Sequence, residues 1–177
     1  YYEDFSEIKK KIWFMLDDAV RNRSSSFRIP VFVCGDQSDF DGRIVVLRKS
    51  DQSNNILQFH SDIRSDKIPK LKKNKNAALI FYDKEEKIQL RVKVNCIVNH
   101  NNKITEQSWL KTAHVSRKCY LVNNGPGTEI DEPGSGLNDD IEKSGFTMEQ
   151  SEEGYKNFTV IQCKIKSIEW LYLAAKG

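Results

Sequence analysis

Residues 87–98 alternate with a period of two: Ile88, Leu90, Val92, Val94, Cys96 and Val98 fall on one side, and Lys87, Gln89, Arg91, Lys93 and Asn95 on the other. Successive side chains of an extended chain point to opposite faces, so this pattern predicts a long strand with one apolar face. Five further runs read as strands: residues 30–35, 43–49, 56–61, 77–82 and 157–173. The polar turn over residues 50–55 suits a hairpin between the second and third of them. Upstream, Phe5, Ile8, Ile12, Met15, Leu16 and Ala19 recur at helical spacing and predict an amphipathic helix over residues 5–20. A short helix is expected after Ser65, a candidate cap, with Pro69 near its first turn, and one or two helices between residues 104 and 122. Six strands with few helices point to a mainly β fold with flanking helices, built as a small barrel.

A chain of 177 residues without a dividing linker is expected to fold as one domain over residues 1–177. Residues 123–144 are rich in Gly, Pro, Asp, Asn and Glu and read as a mobile surface loop, a kind that is often functional. With 38% hydrophobic and 30% charged residues the chain is globular, and no apolar run approaches a membrane span. The excess of 28 basic over 25 acidic residues is too small to argue for nucleic acid, and the lysine-rich run at residues 70–75 reads as a solvated helix face. Cys34, Cys96, Cys119 and Cys163 are widely spaced without a C-x-x-C pair, which favours buried free thiols and a cytoplasmic protein. His60, His100 and His114 do not cluster at ligand spacing, so no metal is expected. No Walker loop, G-x-G-x-x-G or catalytic triad pattern is present, and no catalytic side chain is assigned.

Three blocks occur in order: Arg43-Ile44-Val45-Val46-Leu47-Arg48, then residues 59–67 (Phe-His-Ser-Asp-Ile-Arg-Ser-Asp-Lys), then Gln89-Leu90-Arg91-Val92. Trp109, Ser116-Arg117, Pro126-Gly127 and Glu169-Trp170-Leu171 continue the series. This ordered set resembles the FMN-binding motifs of the pyridoxamine 5'-phosphate oxidase family from about residue 28 onward. The resemblance implies a split β-barrel that dimerises and holds FMN in clefts between two subunits. It implies that Arg43, Ser61, Arg64, Ser65 and Lys67 receive the FMN phosphate, that backbone groups of Val45, Val46 and Leu47 line the ring, and that Gln89 hydrogen-bonds it. The residue types fit independently, because a phosphate calls for cations with hydroxyl or amide donors, and flavin carbonyls suit neutral amides. His60 is a further cofactor contact, and His60 and Arg48 are the candidates to face a substrate.

The family's authentic oxidase carries a lysine where Arg48 stands, and its Arg-Arg-Ser cluster for the substrate phosphate has no counterpart around Ser116-Arg117-Lys118. The likeness is therefore closer to an FMN-binding branch than to the vitamin B6 oxidase itself. The function expected is an FMN-dependent oxidoreductase acting on an unidentified small molecule. The alternative is a flavin-binding or flavin-storing module without turnover.

Overall fold

The structure, a computed structural model, describes residues 4–174. Helix α1 (Phe5–Arg21) is capped by Asp4, whose carboxylate accepts the Ser6 amide at 2.8 Å. One stripe of the helix buries Ile12, Trp13, Met15, Leu16 and Ala19, whereas Phe5 stands exposed at its start.

Seven strands follow: β1 (Val31–Gly35), β2 (Phe40–Ile44), β3 (Leu47–Asp51), β4 (Ile56–Asp62), β5 (Asn76–Asp83), β6 (Ile88–Asn99) and β7 (Phe158–Tyr172). Between them lie α2 (Lys67–Lys73), α3 (Lys103–Leu110), α4 (His114–Arg117), α5 (Asp139–Ser144) and α6 (Met148–Ser151). The strands form one antiparallel sheet in the order β2-β1-β5-β6-β7-β4-β3.

Two expectations are corrected here: the strands number seven rather than six, and the sheet is open, with no ladder between β2 and β3 among the described residues. Residues 43–49, read as one strand, belong to two. The chain pairs with β1 as far as Ile44, the Val45 amide bonds to the Pro30 carbonyl at 3.0 Å, and pairing resumes on β4 from Leu47. An unbroken apolar run satisfies strand periodicity on both sides of the break, so the switch leaves no mark in the pattern. The two sheet edges are thus consecutive in sequence. Three Cα steps separate Ile44 from Leu47, at most about 11 Å, so the sheet must curl until its edges meet at that end.

The concave side of the curl holds the core. Phe32 and Phe59 pack with ring centroids 4.8 Å apart, Phe27 and Phe81 at 5.2 Å, and all four are at most 1% exposed. Burying each contributes up to about 3 kcal/mol. The alternation in β6 is realised: Ile88, Leu90, Val92, Val94 and Cys96 are buried, and Gln89 and Arg91 face outward. Cys34, Cys96 and Cys163 are buried thiols and Cys119 is exposed. A second cluster, Trp109, Tyr120, Phe158 and Val160, packs under α3.

Residues 123–137 are irregular and largely exposed, and α5 follows with Asn138 as its cap. The Asn123 amide bonds to the Gly136 carbonyl at 2.8 Å and closes this segment on itself. No helix among the described residues is long and apolar enough to cross a membrane.

Candidate functional site

Where the sheet edges meet, a cleft of about 270 Å³ opens between β2, β3, β4, α2 and the segment after α4. Arg43, Val45, Val46, Arg48, His60, Ser61 and Lys67, all singled out in the sequence, line it. The β2–β3 break carries Val45 and Val46 to its wall, and β4 presents His60 and Ser61.

Lys67 is the unusual group. It is only 7% exposed, and its Nζ donates to Ser61 Oγ at 3.0 Å and to Ser65 Oγ at 2.8 Å. Among the described residues no carboxylate lies within ion-pair distance of it. Burial, with the Arg43 charge second, holds the Lys67 ammonium down to about 8, against 10.5 for a free lysine. A buried cation whose partners are two hydroxyls keeps an unbalanced charge, which an anion would offset.

Arg43 reaches the same corner through Ser65 Oγ at 3.4 Å, and it is also held by two carboxylates, Asp66 at 2.9 Å and Asp41. Asp41 and Arg43 are two residues apart on one strand, which puts both side chains on one face. The expected helix start shifts accordingly: Asp66 occupies the cap position without a side-chain cap bond, and Ser65, 1% exposed, turns its hydroxyl to Lys67 and Arg43.

Four of the expected contacts, Leu47, Arg64, Ser65 and Gln89, are not among the residues that line the cleft. Arg64 lies outside the cleft lining. Its guanidinium clasps Asp62 at 2.7 and 3.0 Å and donates to the carbonyls of Val122 and Asn123 at 3.0 and 3.1 Å. It fastens the 122–125 backbone to the end of β4, and Gly125 passes so close that a Cβ there would come within 2.8 Å of Arg64 Cβ. Leu47 is 1% exposed with its side chain in the core. Gln89 lies on the outward face of β6, opposite Tyr82 and Leu171, away from this chain's own cleft.

The cleft also has liners without a role assigned from the sequence: Ile44, Asp62 and Pro126, noted only as parts of motifs, and Cys119 and Tyr120. Ser116 and Arg117 diverge: Arg117 is 3% exposed, stacks on Trp109 at 4.3 Å and bonds to the Trp109 carbonyl, Ser151 and Glu152, so it ties α3, α4 and α6 together.

His60 packs edge-on against Phe158 at 4.8 Å. Burial and the neighbouring Arg48 charge push its imidazole down to about 3, so the ring is neutral at physiological pH.

A mainly antiparallel sheet with flanking helices and an anion-receptive corner at the curled edge defines a pyridoxamine 5'-phosphate oxidase-like fold. Residues 15–100 match the family model described as "Pyridoxamine 5'-phosphate oxidase, FMN-binding domain", in line with the resemblance of the motifs. No curated protein matches the chain. Among solved structures, a pyridoxamine 5'-phosphate oxidase-related, FMN binding protein from Nostoc punctiforme PCC 73102 superposes with a TM-score of 0.72 at 16% identity, covering 96% of this chain and 85% of that one. PhzG from Burkholderia lata 383, solved with tetrahydrophenazine-1-carboxylic acid, gives 0.66 at 11% identity, covering 97% and 81%. A putative pyridoxamine 5'-phosphate oxidase from Listeria innocua gives 0.58 at 13%, covering 93% and 98%. At such identities these neighbours share the fold.

Proposed function

We propose that this chain is an FMN-binding flavoprotein and works as an FMN-dependent oxidoreductase on a small molecule. The observation that carries the reading is Lys67, a buried ammonium held only by Ser61 and Ser65 at the head of a cleft lined by Val45, Val46, Arg48 and His60. In this reading Lys67, Ser61, Ser65 and Arg43 hold the FMN phosphate, and the Val45–Val46 segment, with Leu47 through its backbone, lies along the ring. When bound, FMN supplies the capacity to accept an electron pair from a donor and pass it on. The protein's part is to bind and orient the flavin and to keep a neutral imidazole and a guanidinium, His60 and Arg48, at its open side. Arg64 serves the site indirectly, by holding the 122–125 wall.

A second copy of the chain completes the cleft. At about 270 Å³ the cavity falls just below the usual range for small-molecule sites, roughly 300–1,000 Å³. On the outward face of the sheet Ile44, Val31, Tyr82 and Leu171 are exposed, with Gln89 paired between the last two. Such a contiguous apolar patch calls for a partner. A two-fold dimer through it would carry Gln89 toward the partner's flavin, the role its motif implies. We further propose that the chain acts as one domain, with residues 123–144 moving at its surface, and that three buried free thiols suit a cytoplasmic setting.

The test is the visible spectrum of the purified protein, with the released chromophore identified by mass. A flavin spectrum that yields FMN in the wild type and is lost in Lys67→Met supports the reading. A protein that remains colourless after incubation with FMN refutes it. The rate of reduction of the bound flavin by a nicotinamide donor, followed by stopped-flow absorbance, then separates an oxidoreductase, in which it is fast, from a flavin-storing module, in which it is slow.

A further inference from the structure

Beside the cofactor cleft lies a second cavity of about 460 Å³, and the two meet at Arg48 and His60, which line both. Its floor is polar: Gln58 and Gln162, directly paired across β4 and β7, with Gln58 donating to Ser108 Oγ at 3.2 Å. The segment after α1 contributes Arg23 and Arg28, the α3–α4 connection contributes Lys111, and α4 contributes Ser116. β3 adds Arg48 and Lys49.

Five cations line this cavity and no carboxylate does. Lys49 has an ion-pair partner in Asp51, 3.3 Å away, outside the lining. Arg28 is positioned by the Ala19 and Val20 carbonyls at 3.1 and 2.9 Å. Among the described residues Arg23, Arg28, Arg48 and Lys111 have no ion pair. By contrast, Arg43, Arg64, Lys70, Arg91 and Arg117 each have an acidic partner. Converging like charges raise the local potential and concentrate anions in a concave site. A cavity of this volume admits a small molecule rather than a nucleic acid strand or a protein segment.

We propose that this cavity is the substrate site and takes a small molecule with at least two anionic groups, phosphoryl or carboxyl, one met by Arg48 at the junction with the flavin and the other by Arg23 and Lys111 at the mouth. Such a molecule spans from the mouth to His60, where its uncharged part faces the cofactor cleft and lies against the glutamine floor. This assignment of substrate class rests on the flavin reading above, while the binding it predicts does not.

The test titrates the purified protein, saturated with FMN, with inorganic pyrophosphate and with citrate by isothermal calorimetry, using acetate as the monoanion control. Saturable one-site binding of pyrophosphate or citrate, weakening as salt is raised, is the expected result. Whichever of the two binds tighter assigns phosphoryl or carboxyl chemistry. The double variant Arg23→Gln/Lys111→Gln should lower that affinity by about tenfold, as the loss of two exposed charge contacts implies, with FMN affinity as a separate readout of the neighbouring cleft. Lys67→Met, which removes the flavin phosphate contact, should still bind the probe, so a failure of the flavin reading shows separately from a failure of this one. The proposal is overturned if neither probe binds the wild type, if acetate binds as tightly, or if the double variant binds the probe unchanged.

Discussion

The FMN affinity of this protein should report the proton on Lys67. In the free protein burial and Arg43 hold that ammonium at about 8, so it begins to lose its charge just above neutrality. A phosphate placed against it adds an opposite charge and draws the pKa back up. Affinity is then independent of pH below about 8 and falls about tenfold per pH unit above it, until the pKa of the bound state is passed. If the bound phosphate restores the ordinary 10.5, the full span is about 300-fold in Kd, about 3.4 kcal/mol. Flavin fluorescence quenching between about pH 7 and 9.5 covers most of this window and stays above the second ionisation of the phosphate near pH 6. Riboflavin, which has no phosphate, should bind without the slope, and Lys67→Met should bind FMN weakly and without it. A wild-type Kd that stays level to pH 9.5, or an equal slope in the variant, would show that Lys67 does not face the phosphate.

Three further outcomes follow from the same geometry. Arg64→Ala leaves Asp62, 5% exposed, without its cation and frees the 122–125 backbone; it should cost about 3 kcal/mol in urea unfolding and speed proteolytic cleavage between residues 122 and 137. His60 binds a proton in the unfolded chain near 6.5 but in the folded protein only near 3, so it lowers stability as pH falls through that window; His60→Gln should narrow the gap in Tm between pH 7 and pH 5. Tyr82→Arg puts a charge into the outward apolar patch, twice over in a two-fold dimer, and should yield a monomer by light scattering with weakened FMN binding although the substituted residue lies away from the cleft of its own chain.

The parts of the site legible in the sequence are those fixed by local spacing. Gln89 could be assigned to the polar face of β6 because Ile88 and Leu90 on either side are apolar, and both are fully buried. Ser61, Ser65 and Lys67 lie within seven residues of chain, and the structure brings their side chains together. What stayed hidden needed tertiary information. Val45 and Val46 look like the middle of a strand, and only the exchange of partners from β1 to β4 turns them into a break. The wall formed by Cys119, Tyr120 and Pro126 is recruited across about sixty residues of chain, which no spacing rule reaches. The partner of Arg64 was hidden for a related reason. In an Asp-x-Arg pair at the end of a strand the nearest carboxylate competes with any external anion, and Asp62, almost fully buried, gains most from winning that competition.

That pairing bears on how mutants of this cleft must be interpreted. Removing Arg64 and removing Lys67 are both expected to weaken FMN binding, the first because the 122–125 wall loosens and the second because the phosphate loses a charge. A single affinity measured at one pH cannot tell a wall from a ligand. The proton can: a loosened wall lowers affinity by the same factor at every pH, since Lys67 still titrates beneath the phosphate, whereas the loss of Lys67 removes the slope itself. Arg64→Ala should therefore shift the whole profile of log Kd against pH without changing its shape, and an Arg64→Ala profile that came out level would return that arginine to the phosphate site.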